Sequence, residues 1–270
     1  MIAIILCTYN GEKYIETQLQ SLQNQTYKDI EVFIHDDGST DSTIRIIESF
    51  IAKNSLRCII MHDEIKHRGA GPSFMWALDN INADYYMFCD QDDFWLPNKV
   101  EHTYCRMLEV EKEHSGKPIL IHTDLKLTDG QLNITADSFW EYRNLKVDIS
   151  KDKHYISFGN IVTGCTMMIN NAAKHISFPY DGKMLHDFWI ALKVAKFGMV
   201  ENIKEQTILY RQHGNNEAGA GTRHKKHKVS FSAFISVFSD ELELFKDISG
   251  KGFICWLYCR MRYFYYRHFI

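Results

Sequence analysis

Met87-Phe88-Cys89-Asp90-Gln91-Asp92-Asp93-Phe94-Trp95-Leu96-Pro97 is the stretch around which this chain is organised. It opens as the end of an apolar run, Tyr85 to Cys89, which reads as a short buried strand. Three carboxylates in four residues stand where that strand ends. Beyond Pro97 a helical pattern runs through Val100, Tyr104, Met107 and Leu108. Carboxylates crowded this closely repel one another unless a cation lies between them. Oxygen ligands without His or Cys in the cluster suit a hard divalent ion, Mg²⁺ or Mn²⁺, whose open positions phosphate oxygens can fill. An isolated Asp-x-Asp reads more simply as a solvated turn ahead of a helix, so its surroundings decide between the two.

Upstream, strand and helix alternate. Ile2 to Leu6 is continuously apolar, as in a strand covered on both faces, and ends in Cys7-Thr8-Tyr9-Asn10-Gly11. A helical pattern follows over Glu12 to Gln23, then a second strand from Ile30 to Ile34, ending in His35-Asp36-Asp37-Gly38-Ser39-Thr40-Asp41. Ser39, Thr40 and Asp41 are all good helix caps for a segment burying Ile44, Ile47, Phe50 and Ile51. Cys58 to Met61 is a third strand, and Arg68-Gly69-Ala70-Gly71-Pro72 opens a helix with Phe74, Ala77, Leu78 and Ile81 inward. Four strand–helix alternations predict an open, doubly wound α/β sheet that binds ligands beyond the carboxyl ends of its strands. Thr8–Asn10, Asp36–Asp37, Arg68–Gly69 and Asp90–Asp92 would then share one rim, as a nucleotide site requires.

Downstream, Ile119 to His122 is a fifth strand, and Thr123 to about Lys153 is a polar stretch of weak periodicity, expected to form functional loops. Ile161 to Ile169 reads as a strand, Met184 to Phe197 as a helix with His186-Asp187 near its start, and Glu201 to Tyr210 as a last strand. Tyr210-Arg211-Gln212-His213-Gly214-Asn215-Asn216 closes this part. From there the character changes to a small-residue and basic run through Lys228, expected to be mobile, and a helical tail that is aromatic and basic at its end. The chain thus divides into residues 1–216, which carry the expected nucleotide-site rim, and an extension, 217–270.

Composition bounds the rest. A chain of 270 residues with 45% hydrophobic content can bury one good core, and a net charge of −3 gives no sign of a nucleic-acid partner. The seven Cys form no CxxC pair, so reduced thiols of a reducing compartment are expected. The apolar start lacks a basic region and cleavage site and reads as a strand rather than a signal peptide; no uncharged run reaches the ~18 residues that span a bilayer. A cytoplasmic protein, or one peripheral on the inner face of the plasma membrane, is expected.

Five pieces, Cys7 to Gly11, Asp36 to Asp41, Asp90 to Asp93, His186-Asp187 and Tyr210 to Asn216, occur in an order that resembles the inverting family 2 glycosyltransferases of the GT-A fold. The likeness covers about Met1 to Asn216 and is strongest to rhamnosyltransferase-like enzymes of bacterial surface polysaccharide assembly. It implies a Rossmann-like open mixed sheet flanked by helices, with a helical C-terminal tail. It implies, too, a nucleoside-diphosphate-sugar donor (dTDP-rhamnose or a UDP-sugar), a glycan or polyprenyl-linked acceptor, and a Mn²⁺ or Mg²⁺ cofactor.

Carried onto this sequence, the resemblance gives Thr8, Tyr9 and Asn10 to the nucleoside. It gives one of Asp36 and Asp37, with Asp37 favoured, to the N3–H of uracil or thymine. Arg68 and Gly69 would lie by the diphosphate, where this chain departs from the Asn often found there. Asp92 would be the direct metal ligand, with Asp90 nearer the ribose or a metal-bound water. His213 would meet metal or diphosphate, with Arg211 adding positive charge. Asp187 resembles the catalytic base that deprotonates the acceptor hydroxyl. Glu12, Asp93, Trp95 and His186 would be further donor or acceptor contacts; Asp93 reads equally as a helix cap, and Trp95, Trp140 and Trp189 equally as core. Two rivals remain: a nucleotide-sugar-binding or regulatory module without transfer, and a nucleotidyltransferase, which would want a Gly-rich basic loop that Thr8 to Glu12 lacks. The tail reads as a membrane-docking element or as one that packs on the catalytic domain or a second subunit.

Overall fold

The computed structural model describes residues 1–213 and 231–269. The Gly214-Asn215-Asn216 end of the fifth motif and the basic run expected to be mobile therefore lie outside the described residues. Strands β1 (Ile2–Thr8), β2 (Ile30–Asp36), β3 (Cys58–Met61) and β4 (Tyr85–Cys89) pair in parallel in the order β3-β2-β1-β4. Helices α1 (Ile15–Gln23), α2 (Thr43–Lys53) and α3 (Ala70–Asn80) connect them. The unbroken apolar run of β1 has a direct cause. Ile2, Ile4 and Leu6 face a core shared with Ile15, Leu19 and Ile47, while Ala3 and Ile5 face another shared with Phe74 and Leu78. A strand sandwiched in this way has no wet face on which polar residues could alternate.

The second half adds β5 (Phe94–Trp95), α4 (Lys99–Glu113), β6 (Ile119–Thr128), β7 (Ile134–Ala136), α5 (Phe139–Tyr142), α6 (Val147–Ser150), β8 (Met167–Asn170), α7 (Asn171–Ile176), α8 (His186–Phe197) and β9 (Met199–Arg211). The sheet continues β4-β8-β6-β9-β5, with β7 on the side of β6. β8 is antiparallel to both β4 and β6, and β9 runs parallel to β6. The result is the mixed, open α/β sheet flanked by helices that the resemblance implied.

Two boundaries differ from expectation. The stretch Ile161 to Ile169 is not one strand: a tight 3-10 turn over Gly164–Thr166 precedes β8, which covers only Met167–Asn170. The polar region after His122 is more ordered than its periodicity suggests, because β6 runs on to Thr128, and β7, α5 and α6 follow. Burial of Thr123, Asp124 and Thr128 is tolerated because their polar atoms bond within the domain, for example Thr123 Oγ1 to Thr207 Oγ1 at 2.6 Å.

One pairing positions the acidic stretch. β5 is antiparallel to β9, with Phe94 opposite Leu209 and Trp95 opposite Ile208. Two residues back along β5 and two forward along β9, that register sets Asp92 level with Arg211. The chain after β4 is thereby carried to the end of the last strand.

The C-terminal helices α9 (Phe231–Ser249) and α10 (Phe253–Phe269) pack on the rest of the fold. Phe245, Trp256, Cys259 and Tyr263 form a small core with Tyr155 and Phe158, and Lys196 of α8 reaches Asp247 at 2.7 Å. All seven cysteines are free thiols, and no described helix is long and apolar enough to cross a membrane.

The join between α8 and β9 is a strict steric point. A Cβ on Gly198 would stand 1.9 Å from the Pro118 carbonyl oxygen, and neither backbone can yield easily. We expect Gly198→Ala to cost about 3 kcal/mol in urea unfolding, whereas Gly130→Ala, which meets nothing, stays near zero.

Candidate active site

The site grows from the loops that leave β1, β2 and β4. Asp36, at the end of β2, accepts hydrogen bonds from Thr8 Oγ1 (2.9 Å), Gly38 N (3.1 Å), Ser39 N (2.9 Å) and Ser39 Oγ (2.5 Å). Its carboxylate is consumed in shaping the turn, and Gly38 in that turn has φ of 95°, which a side chain would strain. Asp37 is held differently. The backbone N–H groups of Arg68 (2.8 Å) and Gly69 (2.9 Å) each donate to one of its oxygens, leaving the other lone pairs directed elsewhere.

Arg68 does not reach toward the rim. Its guanidinium is forked onto the buried Asp63 at 2.5 and 3.1 Å, and Asp63 also meets His35 Nε2 at 3.2 Å. That pairing, led by the Arg68 hydrogen bonds, holds the Asp63 carboxyl well below its usual range. The expected Arg68 contact with a diphosphate is thus replaced by a structural one: the ion pair fixes the loop whose N–H groups hold Asp37.

Asn10 and Glu12 are also turned to the protein. Asn10 Oδ1 accepts from Thr40 N (2.9 Å) and Glu12 Oε2 from Ser42 N (2.9 Å), so both knit the first loop to the second. Tyr9 stands exposed beside them, edge-on to His67 with ring centroids 5.5 Å apart. Its backbone is clamped at both ends by one side chain. Gln91 accepts from Tyr9 N and donates to Tyr9 O, each at 2.9 Å.

The acidic stretch and the last strand meet. Asp92 Oδ2 lies 2.7 Å from His213 Nε2, and both side chains are mostly buried. Tyr14 stacks on the His213 ring at 4.9 Å. Arg211 lies under the same tyrosine, 4.6 Å from its centroid, and donates to the carbonyls of Asp92 (2.7 Å) and Gly130 (2.6 Å). Its charge is anchored to backbone oxygens near Asp92. Asp93 is fully buried and accepts from Arg211 N at 3.1 Å; it neither caps α4, whose cap position is Asn98, nor faces outward. Burial first, then the charges of Asp92 and Asp90, push the Asp93 carboxyl well up. The repulsion expected of crowded carboxylates thus adds to a rise that burial leads.

Asp90, Asp93 and the Cys165 thiol bring ligand atoms within 4.8 Å of one another. Burial pushes Cys165 well above the usual thiol range, so it is a poor metal ligand in its resting form. Asp92 and His213, paired at 2.7 Å, are an oxygen and a nitrogen donor of the kinds a hard divalent ion accepts, and Asp90 lies on the Asp93–Cys165 side of the same stretch. Beneath them Lys99 is fully buried, its Nζ 4.5 Å over the Trp95 ring, and burial brings its pKa down to about 8. Trp95 itself is wholly enclosed and offers no face to a sugar.

Asp187 occupies the first turn of α8. Burial pushes its carboxyl up to about 6, against hydrogen bonds from Phe188 N, the Asn160 side chain and Gly164 N that favour the charged form. The Gly164-Cys165 turn therefore touches both halves of the site: Gly164 N–H holds Asp187, and the Cys165 sulfur lies with Asp90 and Asp93. His186 is as buried as Asp187 but, among the described residues, lacks its hydrogen-bond donors. It is buried against Phe74 (4.3 Å) and Phe88 (5.2 Å), burial takes it down to about 3, and it belongs to the core rather than to a ligand contact.

Sequence reasoning missed Gln91, Tyr14, Asn160 and the Gly164-Cys165 turn. Gln91 lay between two more conspicuous carboxylates, and Tyr14 fitted a helical pattern. Asn160 and Gly164 reach Asp187 only through tertiary packing, which no local spacing signals.

A family model described as "Glycosyl transferase family 2" matches residues 3–174. Among curated proteins, the chain is 28% identical over 274 residues to "dTDP-rhamnosyl transferase RfbG" of Shigella flexneri, covering 92% of this chain and 89% of that one. Some further curated relatives are longer; the chain spans 64% of uncharacterized glycosyltransferases from two Rickettsia species. Among solved structures it resembles S. aureus TarS 1-349 in complex with UDP-GlcNAc, with a TM-score of 0.61 at 21% identity over 99% of this chain and 72% of that one. It also resembles the mannosyltransferase PcManGT from Pyrobaculum calidifontis in complex with GDP-Man and Mn²⁺, with a TM-score of 0.60 at 15% identity over 99% and 70%. At such identities these structures establish the fold.

The Gln91 clamp can be tested without any ligand. Gln91→Ala should speed hydrogen exchange at the Tyr9 amide roughly tenfold while leaving strand amides of β1 unchanged.

Proposed function

Because the chain belongs to glycosyl transferase family 2, we propose that it is a metal-dependent inverting transferase. In this proposal it moves rhamnose from a dTDP-linked donor to a glycan or polyprenyl-linked acceptor during polysaccharide assembly. The observation that carries the proposal is the shared Gly164-Cys165 turn, which ties a buried carboxylate of raised pKa to the acidic stretch. The relative named as a dTDP-rhamnosyl transferase supports the choice of donor.

The donor half follows from the loops. Tyr9, exposed and fastened by Gln91, offers a ring for the base to stack on. Asp37 keeps lone pairs for the N3–H of thymine or uracil once Arg68 N and Gly69 N have taken one each. Asp90, Asp92 and His213 would hold a divalent ion, which when bound neutralises charge on a departing diphosphate. Tyr14 and Arg211 hold the His213 ring and the Asp92 backbone, which would orient these two donors toward an ion.

The acceptor half rests on Asp187. Direct displacement with inversion needs one base, on the side of the sugar away from the leaving group. A carboxyl with a pKa of about 6 is mostly ionised at neutral pH yet more basic than an ordinary aspartate, which suits it to take the acceptor proton. Phe188 and Trp189, half-buried beside it, limit water at the same place.

Asp187→Asn should lower transfer by about a thousandfold while leaving donor affinity within about threefold; retained turnover would remove Asp187 from the base role. In the wild type, the transfer rate should fall as pH drops through about 6, because the base becomes protonated. Stability should run the other way. A carboxyl raised from 3.8 to about 6 by burial contributes most when protonated, so stability rises as pH falls through 6. Asp187→Asn should flatten that rise and be the more stable protein at pH 8, by roughly 2–3 kcal/mol at most, as read by thermal melts across pH.

Asp92→Ala should weaken both Mn²⁺ affinity and metal-dependent donor affinity by at least about tenfold, measured by calorimetry, with dTDP-rhamnose tested against UDP-glucose. Equal donor affinity with and without Mn²⁺ in the wild type would refute the metal role.

A further inference from the structure

We propose that the outward face of α10 seats the protein on an anionic lipid surface. The inner face of this helix is used: Trp256, Cys259 and Tyr263 are buried against Tyr155, Phe158 and Phe245. The outer face is apolar and open. Phe253, Ile254, Leu257, Tyr258 and Met261 are all exposed, Ile254 by 85% and Met261 by 57%. Phe264 and Tyr265 extend the same side, each 54% exposed. At ~100° per residue these positions occupy one arc of about 140°, a stripe with no charged residue inside it. Water-facing helices show the opposite arrangement, and a continuous stripe of this kind marks a docking surface.

Charge selects the occupant. α10 carries Arg260, Arg262 and Arg267 and no Asp or Glu, and Lys251 stands just ahead of it. By the same helical geometry Arg260 and Arg262 fall on opposite edges of the arc, about 20° and 40° beyond its ends. Arg262 is exposed; Arg260 is tied to Glu241 at 3.0 Å and keeps partial exposure. An apolar, aromatic face bordered by arginines on both sides is the pattern that lies in a bilayer interface, its rings among the acyl chains and its guanidinium groups at anionic headgroups. A second copy of this chain is a poorer match. Face-to-face pairing would crowd the exposed Arg262 borders of both helices, with no carboxylate on either α10 to offset them; Arg260 is already paired, with Glu241.

The proposal rests on the transferase assignment only for its consequence. Phe158 packs on Tyr263, and two residues further along the chain Asn160 bonds the Asp187 carboxylate. A membrane held at α10 would therefore lie a short stretch of chain from the base, where a lipid-linked acceptor must present its hydroxyl.

The test is vesicle co-sedimentation of the full chain without nucleotide sugar. It compares phosphatidylcholine vesicles with vesicles of roughly three parts phosphatidylcholine to one part phosphatidylglycerol. Wild type should pellet with the anionic vesicles, release as salt rises, and stay in solution with the neutral ones. Ile254→Glu combined with Met261→Glu, both outward and outside the packed core, should lower binding at least about tenfold with an unchanged melting temperature. Arg262→Gln should lower it by about fivefold. Failure of the wild type to bind, or equal binding by the double variant, would overturn the proposal. So would a wild-type dimer in light scattering that the double variant dissociates while no vesicle is bound, which would give the face to a second copy. Donor-induced thermal shift, read in parallel, reports on the transferase assignment and should be the same in all variants.

Discussion

Everything at the rim depends on how the short β5 pairs with the long last strand, β9. β5 has only two residues, yet its antiparallel register against β9 carries the chain from the middle of the sheet to its last strand. The four residues in transit are Asp90, Gln91, Asp92 and Asp93, and they part: Asp90 and Asp93 lie with the Cys165 sulfur, while Gln91 and Asp92 turn to other partners. Gln91 turns back to fasten Tyr9, Asp92 meets His213, and Asp93 goes inward to receive Arg211 N. A crossing strand edge thus divides a run of like charge so that only part of it faces outward. The buried member, Asp93, has its carboxyl pushed well up by burial and then by its neighbours' charge, and the buried Lys99 below it is brought down to about 8. Without that division three ionised carboxylates would share one turn.

The opposing carboxylate is built by a different balance. Asp187 sits at a helix start with donors around it, which alone would make it a stronger acid. Burial outweighs those donors and raises it to about 6. A group in this state is costly to the fold at neutral pH and useful to proton transfer for the same reason. His186, its neighbour in sequence, shows what burial does without donors: a neutral ring, packed on two phenylalanines, with no hydrogen-bond partner at either nitrogen among the described residues. Adjacent residues on one helix turn have therefore gone to the site and to the core.

The parallel half of the sheet was legible because β1 and β4 are buried on both faces and carry unbroken apolar runs, and β2, up to Ile34, departs from such a run only at Glu31. Asp92, His213 and Asp187 were legible as chemistry out of place, charge or imidazole at the ends of apolar elements. The roles of Arg68, Asn10 and Glu12 were not. Long or polar side chains on a loop can turn outward to a ligand or inward to a neighbouring loop, and only the partner, Asp63, Thr40 or Ser42, decides which. Trp95 and His186 failed for the converse reason: each is a residue type common at ligand sites, and each is enclosed by packing that arises from distant segments. The turn at Gly164 was hidden inside an apolar run, where a period-2 pattern and a strand-plus-turn look alike.

The pairing of β5 with β9 brings Asp92 to His213, and the proposed divalent-ion site depends on that meeting. The most direct measurement is anomalous diffraction at the manganese edge from crystals grown with Mn²⁺ and dTDP. We expect one peak in contact with Asp92 and His213 and bridging to the diphosphate, at the ligand distances usual for oxygen and nitrogen. A diphosphate bound with no peak there, or a peak held by other residues, would contradict it.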